Sequence, residues 1–248
     1  MSGLDRLVGL ARSIVIYHGI PWRQREMRKL YAGFVDAGDV AFDIGAHVGN
    51  RTRGLAALGC RVIAVEPQPD FARLLRLLFG RSSQVEIVEA AIGARAGKAS
   101  LSISERTPTV TTVAADWREA RSHEPEFDGV HWNRSLVVET TTLDLLIARW
   151  GMPSFVKIDV EGGEPAVLAG LTRAVPALSF EYVPSAPGEV RACVERVSAL
   201  GSYLFNWSVG ESFKLESETW LSGDELMAAL GTPRGLQRSG DVYARLSV

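Results

Sequence analysis

The chain has 248 residues, enough for one α/β domain with additions and a sizeable core. With 46% hydrophobic and 23% charged residues it has the composition of an ordinary globular protein, which excludes a disordered or collagen-like chain. Basic and acidic residues nearly cancel at a formal charge of -2, so no whole-protein field draws in a nucleic-acid backbone, and no nucleic-acid partner is expected.

Residues 4–17 and 22–35 read as two amphipathic helices separated by Gly19, Ile20 and Pro21, with Leu4, Leu7, Leu10, Ile14 and Tyr17 at helical spacing. They predict an N-terminal helical cap over 1–36, ahead of a main domain over 37–248. The apolar stretch from Leu7 to Ile16 is interrupted by Arg12, is too short to span a bilayer and lacks a cleavage site, so neither a transmembrane segment nor a signal peptide is expected. Arg23, Arg25, Arg28 and Lys29 cluster on the second helix. A solvated face or a homodimer contact is the favoured reading of that cluster, over an anionic substrate or a membrane surface.

From Val40 strands and helices alternate: strand 40–44, helix 49–58, strand 61–65, helix 69–79 and strand 85–89. Further strands are expected at 99–103 and 136–140, then helix 142–149, strand 154–159, helix 163–170 and strand 177–182. Helix 187–199, strand 202–207, a strand-like 212–216, helix 222–230 and strand 241–246 complete the chain. Such alternation implies a parallel sheet with crossover helices. Residues 104–135 break it, a polar stretch carrying Trp117 and Trp132 whose length favours a lid or substrate wall over a plain surface insertion. Cys60 and Cys193 lie far apart without CxxC or Cys/His spacing. They read as small buried residues of a cytoplasmic protein, with no disulfide framework and no zinc site.

The chemistry concentrates in two strings. In Val40 to Asn50 an apolar strand stops at Asp43-Ile44-Gly45, where the glycine lets the backbone bend toward a ligand, and Gly49 allows close contact at the start of the helix. The second and third positions of a GxGxxG fingerprint are filled by His47 and Asn50, so a nucleoside cofactor without phosphates fits better than NAD or FAD. About twenty residues beyond Gly45, Glu66 ends the second strand, where a carboxylate can accept hydrogen bonds from both hydroxyls of a ribose. Glu89-Ala90-Ala91-Ile92-Gly93 offers small residues over which an adenine can lie. The second string, Phe155 to Glu164, places Asp159 and Glu161 on the same side of a strand end. Two such carboxylates suit a general base or a hard cation such as Mg²⁺; the plainer alternative is that they cap the helix that follows.

Together with Glu66-Pro67 and Thr142-Leu143-Asp144, these strings resemble the FkbM family of S-adenosylmethionine-dependent methyltransferases over roughly residues 36–183. The resemblance implies a class I methyltransferase fold, a Rossmann-like, seven-stranded, mostly parallel sheet with helices on both faces, with S-adenosylmethionine at the ends of the first strands and S-adenosylhomocysteine as product. By that pattern Asp43, Gly45, Ala46 and Gly49 lie along the methionine part, Glu66 with Pro67 holds the ribose, and Ala91 and Ile92 border the adenine. Asp159 sits near the methionine and the transferred methyl, and Asn50 and Thr52 join at the helix start. Two positions depart from the family pattern. His47 stands where asparagine is common and reads as a packing or hydrogen-bonding histidine before a pH-sensitive base, and Ala94 stands where a small polar or acidic residue is common.

The expected reaction is O-methylation of a small hydroxylated metabolite, a sugar, polyketide or other natural product. Asp159 or Glu161 is then the base or the Mg²⁺ ligand, and Glu181 a second contact to the acceptor. Tyr182 and the Trp117–Trp132 stretch are expected to shape the acceptor pocket. Two alternatives stand beside this one: a noncatalytic S-adenosylmethionine-binding scaffold, and an NAD-dependent oxidoreductase on the same sheet.

Overall fold

The computed structural model describes residues 21–104, 107, 110–122 and 129–247. The first expected helix, 4–17, lies outside them. A seven-stranded sheet runs in the order β3 (Val85–Val88), β2 (Arg61–Val65), β1 (Val40–Ile44), β7 (Phe155–Ile158), β8 (Ala177–Tyr182), β10 (Gly240–Leu246), β9 (Tyr203–Val209). The first five of these pair in parallel, and β10 pairs antiparallel with both β8 and β9. From β1 the chain winds outward through β2 to β3 and resumes on the other side of β1 as β7. The strand order therefore reverses between β1 and β7, and a crevice opens there at the carboxyl ends of the strands. A second sheet of three strands, β4 (Ala91–Ile92), β6 (Arg134–Thr141) and β5 (Gly97–Ile103), stands beside that crevice.

The central strands are apolar on both faces because both are covered. Phe42, Ile44, Ile63, Val65, Val156, Ile158, Leu178 and Phe180 meet the helices Leu143–Trp150, Glu164–Ala169, Pro187–Leu200 and Gly223–Leu230 in one core. Ala41, Val62, Phe155, Ala177 and Tyr243 face a second core that also takes Leu55, Met27 and Tyr31. The helix Pro21–Tyr31 is therefore part of the domain's packing: Met27 and Tyr31 are fully buried, and a Cβ on Gly54 would stand 2.3 Å from Met27 Cε. Cys60 and Cys193 are free and buried. Among the described residues no helix is long and apolar enough to cross a membrane.

Three expectations need correction. The helix expected over 22–35 ends at Tyr31, where Gly33 and Phe34 turn back to donate to the Leu30 and Tyr31 carbonyls. Residues 212–216 form no strand. A 3-10 turn spans Gly210–Ser212 and Phe213 takes φ 52°, and beyond this kink the chain touches the edge strand β9 at isolated points, the Glu216 amide on the Trp207 carbonyl at 2.9 Å and a bridge between Leu221 and Phe205. The 104–135 stretch holds a short helix, Ala115–Arg121, which its weak periodicity hid.

Candidate active site

The crevice between β1 and β7 opens into a cleft lined from both sheets and from Thr111, Thr112 and Val113 of the 104–135 stretch. Its floor is made by one close approach. Gly45 takes φ 80°, and a Cβ there would stand 1.8 Å from the Asp159 carbonyl oxygen. Only glycine lets the turn after β1 lie against the end of β7 in that conformation. The Gly45 and Ala46 amides donate to the Val65 carbonyl at 2.9 and 3.0 Å, which folds the turn over the end of β2. Beneath it Asp43 is buried, with Oδ2 accepting from the Thr52 hydroxyl at 2.5 Å. Burial raises the Asp43 carboxyl, and the Thr52 bond, Lys157 and Arg51 offset part of that rise.

At one end of the cleft, Glu66 is buried and oriented by two backbone donors: the Gln68 amide at 2.8 Å to Oε1 and the His47 amide at 2.9 Å to Oε2. Burial raises its carboxyl to about 7, against the pull of those two amides. The His47 ring packs 4.1 Å from the Phe71 ring, centroid to centroid, with φ 47° at its own backbone. It is a packing and backbone-donor histidine in this geometry. Pro67, Ala91, Ile92 and Leu101 complete an apolar wall on this side.

At the other end the acids gather. Asp159, Glu161 and Glu181 each bring a carboxylate oxygen within 4.8 Å of the others. Under them Lys157, fully buried, meets Asp241 at 2.8 Å and Asp159 at 3.3 Å and donates to the Ile158 carbonyl at 3.1 Å. Burial pushes the Asp159 carboxyl up, but Lys157 and Arg51 outweigh it and hold Asp159 below the ordinary range, hence ionised. Glu161 is raised well above its ordinary value by burial and then by Asp159 and Glu164; Glu181 is raised by burial and then by Glu161 and Asp159. An ionised aspartate thus sits beside two glutamates whose carboxyls are raised above the ordinary range.

The remaining predicted residues divide. Asn50 lines the cleft, whereas Ala46, Gly49 and Thr52 do not. Ala46 is buried with Ala64, Leu75 and Phe79; a Cβ on Gly49 would meet the Phe79 and Leu75 side chains; and Thr52 acts through Asp43. Tyr182 is buried in the main core, away from the cleft lining. Sequence reasoning missed Arg51, which lines the cleft while both of its terminal nitrogens bond Glu211, at 2.7 and 3.0 Å, and its guanidinium lies 4.7 Å from the Phe213 ring centroid. It also missed Gln68 and Thr111. Asp43 Oδ1, Gln68 Oε1 and Thr111 Oγ1 are buried without a hydrogen-bond partner among the described residues, and all three residues line the cleft. Buried polar atoms without partners cost stability, so a cleft that collects them is shaped for a polar ligand.

Residues 43–196 match the methyltransferase FkbM domain family. The hexuronic acid methyltransferase AglP of Haloferax volcanii is 28% identical over 171 residues, covering 65% of this chain and 64% of that protein. The chain therefore spans a little under two thirds of the length of this curated relative. Among solved structures it is similar to a precorrin-6y C5,15-methyltransferase from Geobacter metallireducens, at 14% identity and TM-score 0.43 over 92% of this chain and 87% of that one. It is also similar to a TehB-like SAM-dependent methyltransferase from Corynebacterium glutamicum, at 11% identity and TM-score 0.44 over 90% of this chain and 88% of that one.

Proposed function

This chain belongs to the FkbM methyltransferase family, whose domain spans residues 43–196, and from that premise we propose that it transfers the methyl group of S-adenosylmethionine to a hydroxyl of a small metabolite, a sugar-type molecule first among them. The observation that carries the reading is the polarity of the cleft, with the amide-oriented Glu66 at one end and Asp159 and Glu161 at the other, Glu181 standing beside them in a small neighbouring pocket. The family match displaces the NAD-dependent oxidoreductase alternative. The sulfonium supplies an activated methyl, so the chain's own residues have to align an acceptor and take its proton.

The orphaned atoms fit the cofactor's chemistry. Glu66 has lone pairs left for two ribose hydroxyls, and Asp43 Oδ1 is an unused buried acceptor suited to an ammonium group. Asp159, kept ionised by Lys157, lines the cleft as a hydrogen-bond acceptor. Glu161 is the candidate to take the proton leaving the acceptor, which it does from its ionised form; because burial and Asp159 raise its carboxyl, turnover should rise with pH as Glu161 ionises. The relative's hexuronic acid acceptor suggests a sugar here. A hexuronic acid offers both hydroxyls and a carboxylate, and the acids argue for the hydroxyl, because they supply the base that a hydroxyl needs and a carboxylate does not.

Incubation with methyl-tritiated S-adenosylmethionine and glucuronic acid or simple alcohols tests this. Label in a product that survives mild alkali marks an ether and supports the reading, whereas label released by alkali marks an ester. Tight S-adenosylhomocysteine binding with no methylation across a broad acceptor panel would favour the scaffold alternative. Mg²⁺ is a second reading, because the three acids are oxygen donors of the kind a hard cation takes. The Lys157 ammonium already neutralises Asp159, so we expect EDTA to leave turnover unchanged; loss with EDTA and recovery with Mg²⁺ would establish the metal instead.

A further inference from the structure

Residues 110–122 run as a strap across the carboxyl ends of β7 and β8, fixed to the fold at both ends. At its start Ser102 and Thr112 exchange backbone hydrogen bonds at 2.8 and 3.1 Å, which ties it to the end of β5. At its finish Arg121, 3% exposed, donates to the Ser185 hydroxyl at 2.7 Å, just beyond β8. Between these ends the strap grips the Glu161 turn twice. The Thr112 hydroxyl donates to the Glu161 carbonyl at 2.7 Å and accepts from the Ala114 amide at 2.9 Å, so its single donor is committed there. The Trp117 indole lies directly on Gly162, where a Cβ would stand 2.0 Å from its Cδ1.

Glu161 needs such a grip. It takes φ 55°, in the left-handed region that residues with a Cβ avoid, and Gly162 follows at φ 85°. A strained conformation persists only where its surroundings over-determine it. Released, the turn would relax toward ordinary backbone angles, and the Glu161 side chain would swing away from Asp159 and Glu181.

We propose that Thr112 and Trp117 are positioning residues that hold Glu161 in its left-handed conformation and so keep its carboxylate in register with Asp159 and Glu181. The holding role stands on geometry alone, and its catalytic consequence rests on the methyl-transfer reading above. The 104–135 stretch is then more than a wall of the cleft, since it sets the aim of an acid carried by another segment.

Hydrogen–deuterium exchange on the full chain tests the grip without any acceptor. Thr112→Val and Trp117→Phe should each speed exchange of the Val160–Gly163 amides about fivefold or more, with the other strand ends unchanged, and Thr112→Ser should restore the wild-type rate. S-adenosylhomocysteine affinity, by calorimetry, should change less than about twofold in all three. Exchange unaltered at these amides, accelerated throughout the chain, or accompanied by loss of cofactor affinity would each overturn the proposal. With glucuronic acid as the probe, kcat should fall about tenfold in Thr112→Val at unchanged KM for S-adenosylmethionine, because small misplacements of a reacting group cost that much. Absence of wild-type turnover on this probe would count against the acceptor class alone, and the exchange pattern would still decide the positioning role.

Discussion

Burial raises the Glu66 carboxyl to about 7, yet the form that accepts two ribose hydroxyls is the ionised one. With Glu66 as the proposed ribose ligand, cofactor binding would draw the proton off, and affinity should improve as pH rises through about 7. We expect the Kd for S-adenosylhomocysteine, measured by calorimetry, to fall between pH 6 and pH 8. Glu66→Gln should lose this dependence and bind about 10- to 100-fold more weakly, the range for hydrogen bonds to a charged group. A Kd flat in pH for the wild type would mean that Glu66 is not the ribose ligand. Gly45 carries a different burden, because its φ of 80° and its contact with the Asp159 carbonyl leave no room for a methyl. Gly45→Ala has to open β1 from β7 or strain the turn, at about 1–3 kcal/mol, so it should lower Tm and weaken cofactor binding together. Retention of both at wild-type values would show that the turn adapts more freely than its packing suggests.

The helix Leu143–Trp150 shows how one string can serve structure. Thr142 accepts from the Leu145 amide at 3.2 Å as the helix N-cap, and Asp144 accepts from the Thr172 amide at 3.0 Å and its hydroxyl at 2.6 Å, pinning the helix to the loop after Glu164–Ala169. Thr142→Ala should cost about 1 kcal/mol, a fall of about 2–4 °C in Tm for a chain of this size, while S-adenosylhomocysteine affinity stays unchanged. A change in that affinity would show that the cap reaches the cleft. Elements of this kind were legible in the sequence because their signals are local: the apolar run of Phe155–Ile158, the proline opening Pro69–Phe79, the glycine ending Leu143–Trp150. The two strings at Asp43 and Asp159 were legible for the same reason, each being a strand stopped by an acid and a glycine. Arg51 was not, since its partner Glu211 stands 160 positions away and nothing near either residue announces the pair. Nor was the grip of Trp117 on Gly162, which joins a weakly patterned stretch to a motif readable without it.

Across the whole molecule the buried acids fall into two sets that pull stability in opposite directions with pH. Glu66 and Glu164 are raised to about 7 by burial, and Glu161 and Glu181 stand well above their ordinary values. The folded chain thus keeps protons that the unfolded chain releases near pH 4.5. Their contribution is full below that pH; that of Glu66 and Glu164 is lost as pH rises through about 7, with a slope of up to about 1.4 kcal/mol per pH unit for each, and that of Glu161 and Glu181 is lost as pH rises through their own raised values. Asp159 and Glu211 are lowered, the first by Lys157 and the second by Arg51, in both cases against burial. Their contribution is present above their unfolded values and disappears as pH falls below them. The two sets cross just above the unfolded carboxylate values, so thermal stability of the ligand-free chain should peak near pH ~5 and decline toward pH 8. Glu164→Gln keeps a neutral side chain in a buried site outside the cleft lining and should flatten that decline, as scanning calorimetry from pH 4 to 8 would record. Saturating S-adenosylhomocysteine should flatten it too, because a ligand that prefers ionised Glu66 stabilises the fold most where the free chain is weakest. A Tm that climbs steadily from pH 5 to 8 without ligand would mean that these glutamates are not raised in the folded chain, and would overturn this account of its pH dependence.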